Sequence, residues 1–337
     1  MITDALAKLK KKENLTEKET EEVFTEIMKG LVETDTIASF LLALKEKKET
    51  VEEITGAARI MRKFATRINP KDTRLLDTCG TGGDTSETFN ISTVSAFVAC
   101  GAGLSVAKHG NRAVSSKCGS ADLLEELGVN INIGKEIVEK CIDDIGIGFL
   151  FAPRLHLAMK YAMPARKMIK TRSIFNILGP LTNPAGAKYQ LLGVYDESLT
   201  ITLAEVLKNL GSTAAMVVYG RDGLDEITTT DMTAVAELKN NEIKIYAVCP
   251  EDVDIKRSQK EDLKGGDAAF NAKIALGVLN GEKGPRRDIG LLNAGAAIYV
   301  TGMAATLAEG IKKAEESIDS GRALEKLKKL KEFTNKQ

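Results

Sequence analysis

The chain has 337 residues, 47 Lys plus Arg against 47 Asp plus Glu, 43% apolar and 28% charged residues. That is a globular composition, and zero net charge excludes a uniformly basic nucleic-acid coat or an acidic disordered tail. Five cysteines with no CxxC, and only two histidines, exclude a disulfide framework, a zinc knuckle and a His-based metal cluster. The length suggests about two domains. The N-terminal residues MITDALAKLKKKENL lack the apolar core of a signal peptide, so a reduced, cytoplasmic protein is expected.

The first seventy residues read as short amphipathic helices. Thr16 with Glu19, and Thr50 with Glu53, have the spacing of capping boxes. Val23, Phe24, Ile27, Met28 and Leu31 recur at helical spacing, as do Ile37, Phe40, Leu41 and Leu44, then Ile54, Ala57, Ala58 and Met61. Asn69-Pro70 ends this part. Strand and helix then alternate. Leu75 and Leu76 open a strand, Ile91 to Cys100 reads as a helix, and Leu104 to Ala107 as the next strand. Ser120 is expected to cap a helix through Leu127. Further strands are expected at 190–195 and 215–219, with a helix near 198–210 between them. This alternation predicts an α/β domain with a largely parallel sheet. Residues 289–308 carry no charge, but Asn293, the glycines and the threonines favour a buried helix or strand–helix pair over a membrane span. The last residues, 304–337, predict one or two charged amphipathic helices.

Net neutrality conceals segregation. Residues 88–121 contain no acid, yet hold Lys108, Arg112 and Lys117. Residues 145–195 contain none either, and hold Arg154, Lys160, Arg166, Lys167, Lys170, Arg172 and Lys188. Such stretches suit a cleft that attracts an anion.

Four motifs carry chemistry. Gly80-Thr81-Gly82-Gly83-Asp84 stands between a strand and a helix, where backbone N–H groups can approach an oxyanion. It is neither a Walker A loop nor GxGxxG. Thr88, Asn90, Ser92 and Thr93 follow, suited to a phosphate, to a metal through Ser92, or equally to N-capping. Lys108 to Lys117, with Gly119 and Ser120, makes a basic, small-residue loop fit for an oxyanion. No GxSxG elbow is present, and His109 reads as a hydrogen-bonding wall. Gly220 to Glu226 follows a strand with clustered carboxylates, a natural Mg²⁺ position for Asp225 and Glu226 beside phosphate. Phe175 to Pro184 predicts a rigid turn, and Arg166 upstream suits a substrate carboxylate.

Taken together, GTGGD at 80–84, N-x-S-T at 90–93, KHGNRxxSSxxGSAD at 108–122, FNxLGPLxNPA at 175–185 and DGLDE at 222–226 resemble the anthranilate phosphoribosyltransferase family. LKGGDAAFNA at 263–272 and LLNAGAA at 291–297 extend the resemblance over essentially the whole chain. It implies a small helical domain, 1–70, joined by a returning segment near 166–186, and a larger α/β domain, 71–337. It implies a homodimer through the helical part, with no membrane and no nucleic-acid partner. Phosphoribosyl pyrophosphate would meet Gly80, Gly83, Asp84, Thr88, Asn90, Ile91, Ser92, Thr93, Lys108, His109, Gly110, Asn111, Arg112, Ala113, Val114, Ser115, Ser116 and Ser120. Anthranilate would meet Gly80, Asn111 and Arg166. Two Mg²⁺ ions would be held through Ser92, Asp225 and Glu226, and no residue is assigned as general base. Leu157 and Ser173 differ from the residues usual in the family near the expected anthranilate tunnel. The alternatives are a pyrimidine nucleoside phosphorylase-like enzyme and a non-catalytic nucleic-acid-binding relative.

Overall fold

The computed structural model describes residues 1–336 apart from 85 and 114–116. Four helices open the chain: α1 (Ile2–Lys10), α2 (Glu17–Met28), α3 (Thr34–Lys47) and α4 (Val51–Phe64). Both expected capping boxes form, at the starts of α2 and α4. Leu31 does not join the buried face. The helix α2 stops at Met28, Gly30 turns at φ +71°, and Leu31 is left 71% exposed.

The α/β part follows as β1 (Leu76–Gly80), α5 (Ile91–Gly101), β2 (Val106–Gly110), α6 (Ser120–Glu126), α7 (Lys135–Lys140) and β3 (Ile147–Phe151). Three short helices, α8 (Ala152–Leu155), α9 (Met163–Ile169) and α10 (Phe175–Leu181), cross to the helical part and back. Then come β4 (Tyr189–Gly193), α11 (Leu199–Asn209), β5 (Ala214–Gly220), β6 (Thr233–Lys239) and β7 (Glu242–Val248). Helices α12 (Ala268–Leu279), α13 (Pro285–Val300), α14 (Leu307–Asp319) and α15 (Arg322–Asn335) complete the chain. No helix among the described residues is long and apolar enough to cross a membrane. The uncharged 289–308 stretch is mostly α13, whose Ile289, Leu291, Leu292, Ile298 and Val300 are buried, whereas Met303 beyond the helix is exposed.

The sheet order is β3-β2-β1-β4-β5-β6-β7, parallel as far as β5 and antiparallel beyond. Side chains alternate between its faces. Leu191, Met216 and Val218 enter one apolar core with α5, α13 and α15, whereas Leu192, Ala215 and Val217 enter another. That second core contains Phe24, Phe40 and Leu44 of the N-terminal helices together with Ala165, Phe175 and Leu178 of the crossing segment. Strand order reverses between β1 and β4, and in open α/β sheets ligands bind at the carboxyl ends of strands beside such a reversal.

Several expectations shift. The second strand begins at Val106 and runs through Gly110, so Lys108 and His109 belong to the sheet rather than to a loop. Gly119 holds the N-cap of α6, while the Ser120 hydroxyl donates to the Asn111 carbonyl at 3.3 Å. Residues 175–181 are helical despite Pro180, and the turn lies beyond the helix, closed by Gly186 N–H donating to the Asn183 carbonyl at 3.0 Å. The hairpin β6–β7 was not expected. Its two-residue turn, Asn240-Asn241, has φ of 52° and 62°, the conformation that asparagine tolerates best after glycine.

Candidate active site

The carboxyl ends of β1, β2, β4 and β5 converge on one crevice. The loop after β5 folds back over β1 and β4. Gly82 N–H donates to Asp225 Oδ2 at 2.8 Å, and Thr81 N–H donates to the Gly193 carbonyl at 2.9 Å. A Cβ at Gly193 would stand 1.5 Å from the Asp225 carbonyl oxygen, and one at Gly80 2.2 Å from Asp225 Oδ2. Only glycine admits this close approach of three loops.

Glu226 reaches the start of α5, where Ser92 N–H donates to its Oε1 at 3.1 Å. Lys108, buried on β2, donates from Nζ to the Thr78 carbonyl at 2.6 Å and to Ser92 Oγ at 3.4 Å. Asp225 keeps a solvent-facing edge at the crevice, but the protein around it removes enough water to push its carboxyl well above the usual range. Asp84 and Glu226 add repulsion. Burial likewise raises Glu226 to about 7, although Lys108 and the Ser92 N–H pull it down. Neither carboxylate has an ion-pair partner among the described residues. Two desolvated, mutually repelling carboxylates with a hydroxyl beside them form a hard-oxygen donor set that suits Mg²⁺. Among the described residues no group of three His, Cys, Asp or Glu could hold a metal alone. Such a set could supply only part of a Mg²⁺ shell, with phosphate and water left to supply the rest.

The loop after β2 is folded onto α6. Asp122 Oδ2 accepts from both Ala113 N–H and Gly119 N–H at 2.9 Å, and Ala121 N–H donates to the Asn111 carbonyl at 3.1 Å. Burial works against the Asp122 carboxylate, but those N–H groups and Arg112 outweigh it and hold its pKa low. Arg112 is paired with Asp122 at 3.1 Å and with Glu125, and Lys117 lies 3.5 Å from Glu87. The loop's cations are thus engaged within the protein. Val114, Ser115 and Ser116 lie outside the described residues.

Residues 263–271 form a clamp that sequence reasoning left without a role. Thr88 bridges to Lys264, Gly265 N–H donates to the Glu87 carbonyl at 2.8 Å, and Phe89 N–H donates to the Leu263 carbonyl at 3.3 Å. Asn90 stands at the N-cap of α5, but its side chain makes no capping hydrogen bond. Its amide donates to the Cys118 carbonyl at 3.1 Å and accepts from Asn271 at 3.0 Å, tying the clamp to the basic loop. The LKGGDAAFNA run was the available signal. A polar cavity of about 270 Å³ opens between Asp84, Thr88, Asp222, Gly223 and Lys260.

On the other side of β2, His109 and His156 face each other, Nε2 to Nε2 at 3.2 Å. Burial lowers His109 to about 3, with His156 adding to the effect, and lowers His156 to about 4. Both are neutral at pH 7, so one ring donates to the other and the pair adds no charge. Arg172 donates to the Gly83 carbonyl and stacks on Tyr195 at 4.0 Å, a contact that the sequence did not single out. Arg166 lies half-buried over Phe175 at 5.4 Å, with no ion-pair partner and no bond to Gly80 or Asn111 among the described residues. Leu157 is 62% exposed, whereas Ser173 is buried beside the start of α10.

Two family models match, described as the glycosyl transferase family, helical bundle domain, over residues 3–65, and the glycosyl transferase family, a/b domain, over residues 72–324. The anthranilate phosphoribosyltransferase of Alkaliphilus metalliredigens is 54% identical over 98% of this chain and 97% of its own. The chain belongs to the anthranilate phosphoribosyltransferase family. The crystal structure of the family member from Thermus thermophilus superposes with a TM-score of 0.94, at 42% identity over 98% of this chain and 99% of that one. The Saccharomyces cerevisiae family member, solved in complex with phosphoribosyl pyrophosphate and Mg, superposes with a TM-score of 0.91 at 28% identity, over 100% of this chain and 98% of that one. The yeast protein is also known in complex with 4-fluoroanthranilate, with a TM-score of 0.89 at 27% identity, over 100% of this chain and 99% of that one.

Proposed function

We propose that this chain joins the amine of anthranilate to C1 of phosphoribosyl pyrophosphate, giving N-(5-phosphoribosyl)anthranilate and pyrophosphate in tryptophan biosynthesis. The observation that carries this reading is the crevice itself. A glycine loop, the start of α5, a buried lysine and two carboxylates without an ion-pair partner among the described residues meet at the carboxyl ends of neighbouring parallel strands, in a chain of this family.

The work asked of the protein is alignment of the amine and stabilisation of departing negative charge. Gly80, Gly83, Asp84, Thr88, Asn90 to Thr93 and Lys108 to Ser116 are assigned to the phosphoribosyl pyrophosphate, with Ser120 at the rim. Mg²⁺, when bound, neutralises charge on the leaving pyrophosphate. Ser92, Asp225 and Glu226 would hold it, and Asp84 beside them is consistent with a second ion. Lys108 lies beneath Ser92, on the side where leaving oxygens must be met; burial lowers its pKa, and the nearby Asp77 and Glu226 carboxyls oppose that shift. Gly80, Asn111 and Arg166 are assigned to anthranilate. An uncompensated guanidinium at Arg166 suits its carboxylate. An aromatic amine is unprotonated at neutral pH, so the reaction needs no strong base, and the neutral His109–His156 pair supplies none.

The division into a helical unit, 1–70 with the returning 166–186 segment, and an α/β unit, 71–337, is supported by the core that the crossing helices share with α2 and α3. A homodimer through the helical unit is supported by exposed Leu31 and Leu42 on it. The test is loss of anthranilate fluorescence when the protein, phosphoribosyl pyrophosphate and Mg²⁺ are mixed. Turnover is expected, and Arg166→Ala should raise KM for anthranilate at least tenfold with little change for phosphoribosyl pyrophosphate. Phosphorolysis of uracil or thymine nucleosides without anthranilate turnover would overturn the reading.

A further inference from the structure

The ladder between β1 and β2 stops almost as soon as it starts. Leu76 pairs with Val106, and no further pair joins the two strands, although β1–β4 and β2–β3 each pair over five residues. In a regular parallel ladder, the Ala107 carbonyl, the Thr78 carbonyl and the His109 N–H would carry the next rungs. Each is taken by a side chain instead. Asn183 Nδ2 donates to the Ala107 carbonyl at 2.8 Å, Lys108 Nζ donates to the Thr78 carbonyl at 2.6 Å, and His109 N–H donates to Asp77 Oδ1 at 3.1 Å. Asn183 Nδ2 also donates to Asp77 Oδ2 at 2.8 Å, which closes the set. Asp77 is fully buried, and Asn183 and Lys108 are nearly so.

Such a wedge has to be built, because a buried carboxylate is costly unless its oxygens are satisfied. It is placed where β1 and β2 diverge toward the crevice. It also draws on Asn183, where the chain returns from the helical part, with the Asn183 side-chain oxygen accepting from Ala185 N–H at 2.9 Å. Resting on the function proposed above, we infer that Asp77 and Asn183 are positioning residues for phosphoribosyl transfer. They hold β2 splayed from β1, so that Lys108 points at Ser92 and the segment through Asn111 stands across the crevice from Gly80 to Asp84. Neither needs to touch substrate. A relaxed ladder would draw Lys108 and Asn111 out of register, and misplacement of about 1 Å costs on the order of a hundredfold in rate.

The test is steady-state kinetics of wild type, Asp77→Asn, Asn183→Ala and the double variant, varying anthranilate, phosphoribosyl pyrophosphate and Mg²⁺ in turn, with melting curves for each. Asp77→Asn is nearly isosteric but sets its own amide against that of Asn183. Each single variant should lose at least tenfold in kcat at saturating substrates. The Mg²⁺ concentration for half-activation, set elsewhere by Asp225 and Glu226, should stay within twofold. The double variant should be no worse than the poorer single, because the two residues form one device. Kinetics within twofold of wild type, losses that only track the unfolded fraction, or multiplicative losses in the double variant would overturn the inference. If Asp77→Asn does not fold, Asn183→Ala decides alone: a natively melting variant with undiminished kcat overturns it. Absence of turnover in the wild type would instead overturn the functional reading beneath it.

Discussion

Burying Glu226 at the crevice floor, with no ion-pair partner among the described residues, raises its pKa from the ordinary 4.5 to about 7. A folded-state pKa above the unfolded one means that the folded protein binds the proton more tightly. The stability this contributes is fully present below about pH 4.5 and is lost as pH rises through about 7. Without a divalent cation, Glu226→Gln should therefore raise the melting temperature, and the gain should grow between those two pH values. Its ceiling is about 3 kcal/mol from the size of the shift. Added Mg²⁺ and phosphoribosyl pyrophosphate should stabilise wild type more than the variant, and the variant should lose most of its turnover. Differential scanning calorimetry across pH checks this, and a variant less stable than wild type at pH 8 without metal would contradict it. Residues of this kind were legible because their chemistry is written in their type. Gly80, Ser92, Lys108, Asp225 and Glu226 were all named from sequence, and all meet at the crevice. Asp77 was not, because a lone aspartate in an apolar strand has no pattern around it, and its partner Asn183 is 106 residues away.

At the scale of elements, Glu53 shows how much one capping position can hold. Its side chain is fully buried, and Oε2 accepts from Thr50 N–H at 2.8 Å, completing the capping box of α4. The same carboxylate accepts from Lys47 Nζ, at the end of α3, at 2.9 Å, and Oε1 accepts from Leu15 N–H at 2.9 Å, before α2. Glu53→Ala would leave two backbone donors without partners and strip the Lys47 ammonium of its carboxylate, leaving it only Asn14 Oδ1 at 3.0 Å and the Lys48 carbonyl at 2.9 Å. Removing one side of a buried pair costs about 3–5 kcal/mol. Chemical denaturation should show a loss of that order, whereas Thr50→Ala, which removes only the reciprocal cap bond, should cost about 1 kcal/mol. Equal effects would mean that Glu53 acts only as a cap. The capping boxes and helical periodicity could be read directly because both are local. The β6–β7 hairpin could have been found from Asn240-Asn241, but β6 is buried nearly throughout and Ile245 on β7 is 65% exposed, so neither strand shows a clean alternation that points inward.

For the whole molecule, the balance of 47 bases and 47 acids hides an asymmetry that the fold makes spatial. None of the seven cations between residues 145 and 195 forms an ion pair with a carboxylate among the described residues. Lys160, Arg166 and Arg172 lie over aromatic rings, Arg172 also meets the Gly83 carbonyl, and Lys188 donates to the Gly211 carbonyl. Charge held by rings and carbonyls is positioned without being cancelled, so the crossing segment keeps a positive field although the protein is neutral. Composition revealed the missing acids, but only the family resemblance pointed to a return near 166–186, because the route through α8 to α10 is set by packing against α2 and α3, far along the chain. An anionic substrate approaching such a field is steered over distances that salt screens, with a Debye length of about 10 Å at 0.1 M and about 3 Å at 1 M. Accordingly, kcat/KM for phosphoribosyl pyrophosphate should fall several-fold as sodium chloride rises between those concentrations at fixed free Mg²⁺. The value for anthranilate, with a single charge, should fall less. Replacing Lys167 and Lys170, both exposed, by glutamine should flatten the salt dependence without altering kcat. A salt profile identical for the two substrates, or unchanged in that double variant, would show that these cations serve packing rather than steering.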